Sequence, residues 1–75
     1  MSGGFHSHHT AIVGLGLMGG SLALALREYV DCITGIDLDP ETRKYALDHG
    51  IVDEVTGDLR AGVKDADIVI LCAPV

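Results

Sequence analysis

The sequence predicts an α/β fold built on a parallel sheet, in the order β-α-β-α-β-α-β, incomplete, with spatial strand order 3-2-1-4. Three observations carry this. Short apolar runs alternate with helical stretches, which implies parallel strands joined by right-handed crossovers. A glycine-rich corner, Gly14-Leu15-Gly16-Leu17-Met18-Gly19, joins the first apolar run to the first helical stretch. The next apolar run ends in a carboxylate, Asp37, 18 residues after Gly19.

Ala11-Ile12-Val13 is the first strand, apolar on both faces as a central parallel strand should be. Gly14 lets the chain turn sharply out of it. Gly16 removes the Cβ where the backbone must be approached closely, and Gly19 lets the helix lie against the strand it left. That helix is expected over 17–30. Leu22-Ala23-Leu24-Ala25-Leu26 makes it apolar almost all round, a pattern that needs cover on more than one side. Cys32-Ile33-Thr34-Gly35-Ile36-Asp37 reads as the second strand. Asp39 suits an N-cap and Pro40 the first helical position, so a second helix runs from there to about His49. Gly50 follows as a residue able to take positive φ. A short third strand is expected over 54–56, and Asp58 caps a short helix over 59–63. Ile68-Val69-Ile70-Leu71-Cys72-Ala73 is the strongest strand signal, β-branched and apolar throughout, bounded by Asp67 and Pro74.

A chain of 75 residues has room for one small domain. A domain of this size buries only about 60% of its unfolded surface and is marginal alone. With 48% hydrophobic and 21% charged residues, the composition is that of a soluble globular protein. The net charge of −6 supplies no basic stripe for nucleic acid. No apolar run approaches the roughly 20 residues needed to span a bilayer, and no signal peptide is evident. A cytoplasmic protein is the expectation. Residues 1–9 read as a flexible leader ahead of a folded unit over 10–75. His6, His8 and His9 could hold a divalent ion weakly, but a structural zinc site usually needs four ligands and no cysteine is near in sequence. No metal site is therefore assigned. In strand order 3-2-1-4 the first strand separates Cys32 from Cys72 by about 10 Å. A disulfide needs less than about 7 Å, so both thiols are expected to be free.

The glycines follow an expected strand and open an expected helix, which is the context a dinucleotide-binding corner requires. Amide groups at the start of the helix would hold a pyrophosphate. Asp37 would accept from the adenosine ribose hydroxyls. A 2′-phosphate about 4 Å from that carboxylate would meet a repulsion of about 4 kcal/mol at an effective dielectric of about 20. NAD is thus expected over NADP, by roughly two to three orders of magnitude at the upper limit. Arg43 lies a turn into the second helix. Met18 and Tyr45 are read as packing side chains.

Gly14-Leu15-Gly16-Leu17-Met18-Gly19-Gly20-Ser21-Leu22-Ala23 makes the match specific, together with Asp37-Leu38-Asp39-Pro40-Glu41-Thr42, Gly50-Ile51-Val52-Asp53-Glu54 and Asp67 through Val75. The chain resembles the start of the prephenate/arogenate dehydrogenase family, over about residues 10–75. The resemblance implies an N-terminal Rossmann domain followed by a helical catalytic and dimerisation domain that is absent from these residues. It implies oxidative decarboxylation of prephenate to 4-hydroxyphenylpyruvate on the way to tyrosine, with hydride passing to NAD(P), in a homodimer. It places the pyrophosphate on the amides of Gly16, Leu17, Met18 and Gly19. Asp37 and Leu38 would flank the adenosine, and Ala73 and Pro74 would line the path to the nicotinamide. The family's catalytic histidine and substrate-binding arginine fall beyond residue 75. His6, His8, His9 and His49 are all expected at the wrong end of the sheet, so no catalytic residue is assigned. Two other readings stay open: another NAD(P)-dependent dehydrogenase with the same fingerprint, or a stand-alone nucleotide-binding module without catalysis.

Overall fold

The computed structural model describes residues 7–72. Within them the chain runs β1 (Ser7–Val13), α1 (Leu17–Leu26), β2 (Val30–Ile36), α2 (Pro40–Asp48), β3 (Glu54–Thr56), α3 (Leu59–Val63) and β4 (Ile68–Leu71). The strands form one parallel sheet in the order β3-β2-β1-β4, as the alternation predicts.

Alternation along the strands sorts side chains to two faces. On one face Ile12 and Ile33 are fully buried, and Leu15, Ala23, Val30, Ala46 and Val52 complete a core with them. A Cβ on Gly35 would strike the Leu15 side chain, so a glycine in mid-strand makes room for that leucine. On the other face α3 packs over β2 and β3, with Gly62 seated against Ile36 and Thr56. The local signals at α2 and α3 act as read: Asp39 and Asp58 accept from the amides of Glu41 and Arg60, and Gly50 has φ +67°.

Three boundaries differ from expectation. β1 starts at Ser7, so residues 7–9 belong to the sheet and not to a leader. The cause is long-range: Ser7 pairs with Val30, and the Asp67 carboxylate accepts from the amides of His8 and His9 at 3.1 and 3.2 Å. α1 ends at Leu26, and β2 begins at Val30, where a buried side chain joins the core. Between them, Tyr29 N–H closes a turn onto the Leu26 carbonyl at 2.8 Å. β4 does not behave as a strand buried on both faces: Val69 and Leu71 are exposed on the α3 face, Leu71 by 71%. Leu24 on α1 is also exposed, so the all-round apolar helix has a bare side. Cys32 and Cys72 are free thiols, as the strand order requires.

One ion pair ties α1 to the loop before β3. The Arg27 guanidinium meets the Asp53 carboxylate at 2.8 and 3.1 Å, and the same carboxylate accepts from Ile33 N–H at 2.8 Å. Arg27, then the Ile33 amide, hold the Asp53 carboxyl below its ordinary value of 3.8. A depressed folded-state value contributes stability above the ordinary value and loses it as pH falls through the folded one. Asp53→Asn is therefore expected to flatten the acid limb of a stability-against-pH curve below about pH 4. Both partners are partly exposed, so the loss at neutral pH is expected to be small. Acid titrations of unfolding for the two proteins check this.

Candidate functional site

The glycine-rich corner lies at the carboxyl tips of β1 and β2. Gly14 has φ 94°, a conformation that side chains resist, and its N–H donates to the Ile36 carbonyl at 2.7 Å. The chain thus leaves β1 while still bonded to the end of β2. A Cβ on Gly19 would lie 1.9 Å from the Gly14 carbonyl oxygen, so only glycine lets α1 approach its own strand this closely. Around Gly16 the situation is reversed: a Cβ there would meet nothing within 4 Å. The first glycine serves the turn, the third the packing, and the middle one faces open space.

Gly16 is the N-cap of α1 and brings no side-chain oxygen to it. Leu17, Met18 and Gly19 then occupy the first helical positions, where amides lack partners within the helix. Together with the helix dipole this is an anion-binding end. It stands at the point where the chain order reverses, β1 lying between β2 and β4.

Asp37 follows β2 directly and is aimed at this corner. Its Oδ2 accepts from Leu15 N–H at 2.8 Å and its Oδ1 from Asp39 N–H at 2.9 Å. One carboxylate therefore couples the glycine corner to the loop that opens α2. The sequence offers no signal for this pairing, because Leu15 and Asp37 meet only once β1 and β2 are in register. Leu38 projects into solvent, 87% exposed. The Arg43 guanidinium lies against Gly57, where a Cβ would meet its Nη1. A cleft of about 560 Å³ runs between α1 and α2, lined by Leu15, Gly16, Ser21, Leu24, Thr42 and Tyr45. Tyr45 is not a core residue; it is 59% exposed and its ring stacks on His49 with centroids 4.0 Å apart. Ala73 and Pro74 lie outside the described residues, as does His6. His8 and His9 sit at the amino end of β1 and His49 caps the far end of α2, so none of the described histidines is at the corner.

A glycine corner at the switch point, open amides at a helix start and an acid at the neighbouring strand tip define a Rossmann-type nucleotide-binding unit. The chain belongs to the family described as the nucleotide-binding domain of prephenate dehydrogenase, whose model matches residues 22–75. It is 41% identical over 69 residues to the cyclohexadienyl dehydrogenase of Zymomonas mobilis, covering 89% of this chain and 24% of that protein. It is 41% identical over 66 residues to the prephenate dehydrogenase of Bacillus subtilis, covering 85% of this chain and 18% of that one. Among solved structures it superimposes on prephenate dehydrogenase from A. aeolicus in complex with hydroxyphenyl propionate and NAD+. The TM-score is 0.80 at 42% identity, covering 89% of this chain and 24% of that one. The chain therefore spans about a quarter or less of the length of these relatives.

Proposed function

We propose that this chain is the NAD-binding portion of a prephenate dehydrogenase, and is not competent for the reaction by itself. The observation that carries the reading is the open space over Gly16, at an uncapped helix start, with the Asp37 carboxylate beside it. In this reading the amides from Gly16 through Gly19, including those of Leu17 and Met18, hold the pyrophosphate. Gly14 shapes the turn. Asp37 grips the adenosine ribose, with Leu38 against the adenine side, and Ala73 and Pro74 flank the path to the nicotinamide. Held there, NAD would supply the hydride acceptor for the oxidative decarboxylation of prephenate to 4-hydroxyphenylpyruvate, a step toward tyrosine. Groups that bind prephenate and move its proton belong to a separate helical domain, through which the protein dimerises. The net charge of −6 supports a protein without nucleic-acid partners. No helix among the described residues is long and apolar enough to cross a membrane, which supports a cytoplasmic enzyme.

Gly16→Ala tests the reading without disturbing the fold. Its methyl group enters empty space, so stability should stay within about 1 kcal/mol, the range of an N-cap change. The same methyl group intrudes where the pyrophosphate would rest. NAD affinity should fall about 10- to 100-fold, the equivalent of 1–3 kcal/mol of steric cost. Calorimetric titration of the intact protein with NAD checks this. Unchanged affinity at unchanged stability would remove the pyrophosphate from this corner.

A further inference from the structure

At the amino end of the sheet, far from the glycine corner, the register brings together three residues that are well separated in sequence. His9 on β1 is the lateral partner of Cys32 on β2, and Thr34, two residues on, is the partner of Glu54 on β3. Residues in parallel register project to the same face, here the face that carries α3. A ring nitrogen of His9, Sγ of Cys32 and a carboxylate oxygen of Glu54 all lie within 4.8 Å of one another.

We propose that His9, Cys32 and Glu54 form a site for a divalent, borderline-soft metal ion of the zinc type. The donor set is one imidazole, one thiolate and one carboxylate, which favours such an ion over magnesium or calcium. Tetrahedral zinc places its donor atoms about 3.5 Å apart, so the three side chains need to close by only about 1 Å. Their backbones are already fixed on three paired strands, and Thr34 pre-orients two of them. Its hydroxyl donates to Glu54 Oε1 at 3.2 Å and lies 2.6 Å from His9 Nε2. A hydroxyl that gives its hydrogen to Glu54 accepts from His9, and that bond holds the imidazole in place.

The charges around the site suit a cation. The neighbouring Asp53 carboxylate is already engaged by Arg27 and the Ile33 amide. Glu54 has no basic partner among the described residues. Burial, then Asp53 and Glu54, push the Cys32 thiol up, against a weaker opposing pull from the Arg27 guanidinium. Binding exchanges the thiol proton for the metal: the S–H bond breaks, a metal–sulfur bond forms and the proton leaves to water, with no change of oxidation state. Three protein donors leave one tetrahedral position for water or a further ligand. The site lies at the opposite end of the strands from the nucleotide corner and does not depend on the cofactor reading.

The test is titration of the reduced, intact protein with cobalt(II), followed by competition with zinc(II). The expected result is a thiolate-to-cobalt charge-transfer band in the near ultraviolet that zinc abolishes and that is absent from Cys32→Ser. His9→Gln should weaken zinc binding at least about 10-fold. No charge-transfer band in the unmodified protein overturns the proposal and needs no variant to do so. A band that survives Cys32→Ser overturns it too, as does zinc binding without any thiolate signal, which would mean chelation by other histidines.

Discussion

Gly19→Ala is expected to cost about 3 kcal/mol or more of folding stability, at the upper end of overpacking effects. The added Cβ would sit 1.9 Å from the Gly14 carbonyl oxygen and 3.0 Å from its carbon. Both are backbone atoms, so no side chain can rotate away. Gly14 is itself pinned by its positive φ and by its bond to Ile36, so the corner cannot recede without breaking the junction of β1 and β2. The only relief is for α1 to lift off the sheet, which would uncover Ala23 and Leu15. Native proteins are stable by only about 5–15 kcal/mol, so this is a large share of the total. The check is the midpoint of urea unfolding, beside Gly16→Ala as a neighbour that should leave it nearly unchanged. Equal midpoints for Gly19→Ala and the unmodified protein would mean that helix and strand do not touch here.

Asp37→Ala is expected to have the largest effect on nucleotide choice. Two backbone amides lose their acceptor. That of Leu15 is in a buried residue, and an orphaned buried donor costs about 1–3 kcal/mol. Part of any loss in NAD affinity is therefore a loosened corner, which weakens NAD and NADP alike. In the proposed reading the ribose contribution is separate: removing the carboxylate takes an acceptor from NAD and a repulsion from NADP. NAD affinity should fall about 100-fold, and the preference for NAD over NADP should narrow by about 10-fold or more. The Arg43 guanidinium lies against Gly57, near the Asp37 carbonyl. Parallel titrations with both nucleotides separate the two contributions. An equal fall for both would make Asp37 a structural brace only.

Signals that act within a few residues are legible in the sequence. Asp39 with Pro40, Asp58 and Gly50 each act through a turn of their own chain, and each appears where its local chemistry puts it. The glycine spacing is legible for the same reason: the turn at Gly14 and the packing at Gly19 are decided within six residues. Strand order followed from alternation and crossover handedness. Boundaries were less legible where a distant residue decides them. Asp67 recruits His8 and His9 into β1 from the far side of the chain. Tyr45 packs on His49 and stays 59% exposed, a half-covered position that local sequence does not specify. The apolar run of β4 indicates strand but cannot say that Val69 and Leu71 are left bare, since exposure depends on what lies above them.

From the amino-acid order alone came the parallel α/β class, the turn at Gly14, the packing at Gly19 and the acid that follows the second strand. These rest on steric and capping rules that neighbours along the chain satisfy. Only the folded sheet decided that Asp37 braces Leu15, and that His9, Cys32 and Glu54 share one face. Such pairings are matters of register between strands, and register depends on how distant segments pack.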